Sequence, residues 1–138
     1  MSAPLTLYSR IGGAEGLSEL LRHFYADVRQ HGVLGPVFNS RIQDWPAHLA
    51  KIGEFWARQT GGPSAYAGGF AAAHLPLGIG PEHFQHWLAL WDFNCRRRLT
   101  ESDALEMIAL AHQLGERLQM VLSARSGLNL PGNSRAQS

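Results

Sequence analysis

Apolar residues that return every three or four positions decide what this chain can become. Ala14, Leu17, Leu20, Leu21, Phe24 and Val28 fall on one face of a helix that opens after Gly12-Gly13. Glu19, Arg22, Asp27 and Arg29 lie off that stripe. Leu49, Ile52, Phe55 and Trp56 repeat the pattern in a helix predicted from about Trp45 to Arg58. Pro46 suits its first turn, where no helical N–H bond is lost. Phe84, Trp87, Leu88, Trp91 and Cys95 mark a third helix from Pro81 to about Arg98. Thr100-x-x-Asp103 resembles a capping box and opens a fourth, which carries Leu105, Ile108, Leu114, Leu118, Val121 and Leu122 and ends before Gly127. Leucine outnumbers the strand-formers, 19 against 12 for Val, Ile and Thr together, and no strict alternation runs for long. The expected fold class is all-α, with helices packed on helices around one core.

The segments between the stripes are also informative. Gly32 and Gly35-Pro36 read as the end of the first helix, followed by a short helical turn at Val37 and Phe38. Residues 60–80 hold six glycines and two prolines, a long irregular stretch of the kind that wraps a ligand. The domain is expected over residues 1–125, with a disordered Ser/Gly/Asn/Pro-rich tail over 126–138.

Composition removes several functions. Net charge is +1, which gives no electrostatic case for nucleic acid or an anionic membrane. Arg96-Arg97-Arg98 ends a helix, where cations suit the dipole. One cysteine, Cys95, permits neither an intrachain disulfide nor a cysteine-based zinc site, and its place on an apolar face predicts an inert thiol. No apolar run reaches the ~18 residues a membrane span needs, and no signal peptide is evident, so a cytoplasmic protein is expected. The phosphate-loop, nucleophile-elbow, metalloprotease and dinucleotide motifs do not occur.

Seven histidines and four tryptophans stand out. His48 shares a helix face with Ile52, Phe55 and Trp56, so it is either a core histidine or one aimed into a site. His74 sits between Ala71-Ala72-Ala73 and Leu75-Pro76-Leu77, apolar surroundings that suit a metal ligand, although a solvated loop histidine is the plainer alternative. Tyr25 lies at the edge of the first stripe and, if buried, needs a hydrogen-bond partner. Trp87 and Trp91 are one turn apart, the spacing of core residues. His83 and His86 could point at one ion, but no third ligand accompanies them and solvated side chains are expected.

Taken together, Phe24-Tyr25, Leu34-Gly35-Pro36-Val37-Phe38-Asn39, His48-x-x-Lys51-Ile52-Gly53-x-Phe55-Trp56-Ala57, His74 and Trp87-Leu88 resemble the truncated haemoglobin family over about residues 7–125. The likeness is greatest to its third group. Gly12-Gly13 and Gly61-Gly62-Pro63 are features of the second group instead. The resemblance implies a two-over-two helical sandwich around haem b, iron protoporphyrin IX, with His74 as the axial ligand. It places Tyr25, Phe38, His48, Ile52 and Trp87 around the distal pocket. Leu49, Phe55, Tyr66, Phe70, Leu77 and Phe84 would also touch the haem, and Lys51 would reach a propionate. His48 would either gate access or bind iron itself. The ligands implied are oxygen, nitric oxide, carbon monoxide, cyanide and sulfide, bound by a monomer or weak dimer. Two donors, Tyr25 and Trp87, predict slow oxygen release. Turnover as a nitric oxide dioxygenase or peroxidase is the alternative and would need a partner reductase.

Overall fold

The computed structural model describes residues 5–66, 68 and 79–128, with side chains through residue 122. Six helices occur among them: α1 Leu7–Arg10, α2 Gly13–Gln30, α3 Leu34–Arg41, α4 Trp45–Thr60, α5 Pro81–Arg98 and α6 Glu101–Leu128. No strand occurs among the described residues. Two helix pairs, α2 with α4 and α5 with α6, are joined where α2 packs on α5.

Each boundary has a local chemical cause. The Thr6 hydroxyl accepts from the Ser9 N–H to open α1, and the Asp44 carboxylate accepts from the Ala47 N–H to open α4. Such caps satisfy donors that have no partner inside the helix. Gly61 closes α4 at φ 91°, a left-handed conformation that side chains resist. At the start of α6 the Thr100 hydroxyl accepts from the Asp103 N–H, as expected.

Gly35-Pro36 does not break the chain. It lies in the first turn of α3, which is eight residues long rather than a single turn. Proline is tolerated there because first-turn N–H groups make no helical bond. The imidazole of His31 supplies the missing acceptor: its Nδ1 accepts from Val33 N–H at 3.0 Å and Leu34 N–H at 3.2 Å. The sequence also gave no sign of α1. The last helix runs on to Leu128 instead of ending before Gly127.

The core is aromatic at its centre. Phe24 is fully buried and meets Tyr25, Trp87 and Trp91 edge-on, with centroids 4.7, 5.1 and 5.0 Å away. Trp91 stacks between Trp87, at 5.5 Å and 6°, and Trp56, at 4.5 Å and 16°. Its indole N–H donates to the Met107 carbonyl at 3.0 Å, fixing α5 on α6. Asn94 Nδ2 donates to Asp27 Oδ2 at 3.0 Å and ties α5 to α2. Arg10 clamps α1 to α6 through Asp103 at 3.4 Å and Glu106 at 2.8 Å. Burial pushes the Cys95 thiol up to about 12, so it stays protonated and unreactive at neutral pH.

Two interior helical glycines should behave oppositely. A Cβ at Gly16 would run into the Ile11 carbonyl, whereas one at Gly53 would meet nothing within 4 Å. Gly53→Ala is expected to raise stability by about 0.5–1 kcal/mol, the usual helix-interior gain. Gly16→Ala is expected to lower it by more than that. Urea unfolding of the two variants checks the order, and an equal gain at both would refute the close approach at Gly16.

Candidate functional site

Tyr25 is the centre of the site. It lies on α2 next to Phe24, and its side chain is 5% exposed. Burial drives its phenol well above the ordinary tyrosine range, against a smaller opposing pull from a hydrogen bond with Trp87. An indole nitrogen can only donate, so the pull runs from the Trp87 N–H towards the phenolic oxygen, which favours the ionised form. The phenol therefore stays neutral and keeps its own O–H hydrogen for another acceptor.

Three further elements bring rings to this point. Phe38 of α3 is 6.3 Å from Tyr25, centroid to centroid. On α4, Trp45 is 6.0 Å and His48 is 6.4 Å from it. The His48 ring stands edge-on to Trp45 at 5.6 Å, and the Arg29 guanidinium lies 4.6 Å over the Trp45 ring. The i, i+3 spacing of Trp45 and His48 could have revealed this contact from sequence, yet Trp45 was not singled out.

Ile52 is one turn beyond His48 on α4, and Phe55 follows one turn later. Phe55 packs on Tyr66 at 5.1 Å. Ile52, Tyr66, Trp87 and Leu88 are half-buried against the core, while Phe24 and Trp91 behind them are sealed. An apolar wall with a phenol, an indole N–H and an imidazole at one corner results. Such a wall suits a flat apolar group that carries a small polar ligand, which is the chemistry of the expected haem.

The remaining expected residues distribute as follows. Lys51 is exposed on α4, about 60° around the helix from His48 and on the side away from Ile52. Leu49 lines a groove on the side of α4 that faces α1 and α2. Phe84 is buried, near the α6 backbone at Gly115. Phe70, His74 and Leu77 lie outside the described residues.

His83 and His86 do not form a metal site, and no group of three or more ligating side chains occurs among the described residues. His83 Nδ1 accepts from the Gly80 N–H at 3.0 Å, which caps α5. The His86 ring lies 4.7 Å from that of His31. An Nδ1 that accepts a backbone N–H leaves the proton on Nε2, so neither His31 nor His83 offers a lone pair to a metal. No described helix is long and apolar enough to cross a membrane.

Comparison with known proteins gives a consistent picture. The family model for bacterial-like globins matches residues 6–115. A group 3 truncated hemoglobin of Campylobacter jejuni is 40% identical over 83 residues, which is 56% of this chain and 65% of that relative's length. The crystal structure of a group III truncated hemoglobin from Campylobacter jejuni superposes with a TM-score of 0.74 at 33% identity, covering 80% of this chain and 91% of the other. The 2/2 hemoglobin of Synechococcus sp. PCC 7002 superposes with a TM-score of 0.75 at 20% identity, over 86% and 99% of the two chains, and supports the fold alone.

Proposed function

Because this chain belongs to the bacterial-like globin family, with the two-over-two fold of truncated globins, we propose that it is a haem protein that binds small diatomic or anionic ligands. Haem b, when bound, supplies an iron with a coordination position open to such a ligand. His74 is the proposed axial ligand, from its match to the family motif. The observation that supports the distal half of the reading is the buried Tyr25 phenol, kept neutral by burial beside the rings of Phe38 and His48.

The chain's residues divide the work by chemistry. Ile52, Phe38, Phe55 and Tyr66 offer apolar surface to the ring, joined by Leu49, Phe70, Leu77 and Phe84 in the proposed set. Burying such surface contributes ~25 cal/mol per Å². Lys51 is exposed and cationic, which suits a propionate. Tyr25 gives its hydroxyl hydrogen to the outer atom of a polarised ligand. Trp87 acts in series, strengthening the phenol as a donor by bonding to its oxygen. His48 stands beside both Tyr25 and Trp45, and in this reading its ring controls access. Ile52 offers no hydrogen bond and limits the volume.

An absorption spectrum of the purified full chain tests the reading. A strong porphyrin band is expected, shifting on reduction with dithionite and again with carbon monoxide. A colourless chain that takes up no added haem would overturn it.

A further inference from the structure

The α2–α4 pair has a second face, of which the haem reading uses only Leu49. On α4 this face carries Leu49, Gly53 and Ala57 in place of His48, Ile52 and Phe55. It borders a groove of about 600 Å³, within the range of small-molecule sites. One end is marked by Arg29 and Trp45, stacked 4.6 Å apart. The other end is marked by Tyr8 and Pro63.

The groove is long and narrow. Its lining on α2 runs from Ala14 to Arg29, about 22 Å at about 1.5 Å per residue, and on α4 from Trp45 to Ala57, about 18 Å. Leu49 supplies the open apolar wall, with the edges of Leu17 and Leu21, which are otherwise buried in the core, beneath it. Gly53 opens the floor, since a Cβ there would meet no atom within 4 Å.

Charge is placed to one side of this trough. Arg22 and Arg29 both line it and both are exposed. Among the described residues neither forms an ion pair. Glu54, the acidic residue of the lining, has Oε1 turned to the Ala65 N–H at 3.4 Å. A guanidinium at the end of an apolar channel matches a molecule with one carboxylate and a long hydrocarbon tail. At roughly 1.25 Å per carbon, the projection of a 1.5 Å single bond, the groove takes about 14–18 carbons.

We propose that this groove binds a long-chain free fatty acid, its tail lying along α2 and α4 and its carboxylate on Arg29, with Arg22 adding to the attraction. The groove shares Trp45 with the corner around Tyr25, but its test reads lipid binding and does not depend on the haem reading. The full chain, as purified, is titrated with palmitate labelled with carbon-13 at the carboxyl, below the aggregation threshold of the lipid. Calorimetry and the carboxyl resonance report binding. One palmitate per chain is expected.

Arg29→Glu is expected to weaken it at least tenfold and to favour hexadecylammonium instead. Gly53→Leu places a side chain in the trough while replacing a helix-weakening glycine, so the fold is kept; it is expected to abolish binding. The visible spectrum should not change during the titration. Three results would overturn the proposal. They are absence of binding, binding that neither substitution alters, and a dimer in sedimentation that Gly53→Leu dissociates, which would make the occupant a second copy of the chain.

Discussion

Tyr25→Phe is expected to release bound oxygen about 10- to 100-fold faster than the parent chain. In the proposed function the hydroxyl donates to an acceptor that carries partial negative charge. Such a bond is worth roughly 1.5–3 kcal/mol, which converts to that range. Phenylalanine keeps the ring, so the edge contact with Phe24 at 4.7 Å and the contacts with Phe38 and His48 are retained. Stopped-flow displacement of oxygen by carbon monoxide measures the rate. Carbon monoxide, being less polar when bound, should dissociate at a rate that changes far less.

The companion variant Trp87→Phe separates two arrangements. In the proposed arrangement the indole N–H supports the Tyr25 oxygen, in line with the direction in which it pulls the phenol. The phenol is then the direct donor, and removing the indole weakens it indirectly. A smaller acceleration than in Tyr25→Phe is expected, together with a Tyr25 phenol that titrates still higher once its hydrogen bond is lost. A larger effect in Trp87→Phe would show that the indole donates to the ligand itself. Unchanged release in both variants would remove both residues from the distal site.

His74→Ala is expected to abolish stable haem binding. In the proposed function the imidazole of His74 would hold the iron, and no other side chain in this sequence matches that motif position. Burial of the apolar ring would remain, so weak uptake of haem can persist in the variant, but it should wash out on gel filtration. Absorption and haem-to-protein ratio after filtration give the result, with Gly53→Ala as a control that leaves the haem wall untouched. Retention of haem with the parent's iron coordination would exclude His74 as the axial ligand. Restoration of the parent spectrum by added imidazole would support it, because the free ring can occupy the position the side chain has left.

The helical stripes were legible because burial of one face imposes a period of 3.6 on the sequence. Four of the six helices among the described residues follow from that pattern alone. The misplaced start of α3 depends on two local hydrogen bonds. Gly35-Pro36 reads as a break in any propensity scale, yet α3 forms through it because the His31 ring, brought round at the end of α2, accepts two of its N–H groups. No period encodes that contact.

The site divides along the same line. Motif order pointed to Tyr25, Phe38, His48, Ile52 and Trp87, because a family pattern fixes residue types at fixed spacings. Sequence treated Tyr25 and Trp87 as two parallel donors. Their 62-residue separation conceals that the packing of α2 on α5 brings both rings to Phe24. The groove beside Arg29 was equally hidden. Each lining residue reads as an ordinary exposed or small helical position, and only the approach of two helices 15 residues apart in sequence turns them into the walls of one trough. The chain's periodicity thus decides which faces are buried. Which polar atoms meet, and which gaps are left between helices, is decided by packing, since hydrogen bonds and cavities depend on ångström-scale distances that a pattern of residue types does not specify.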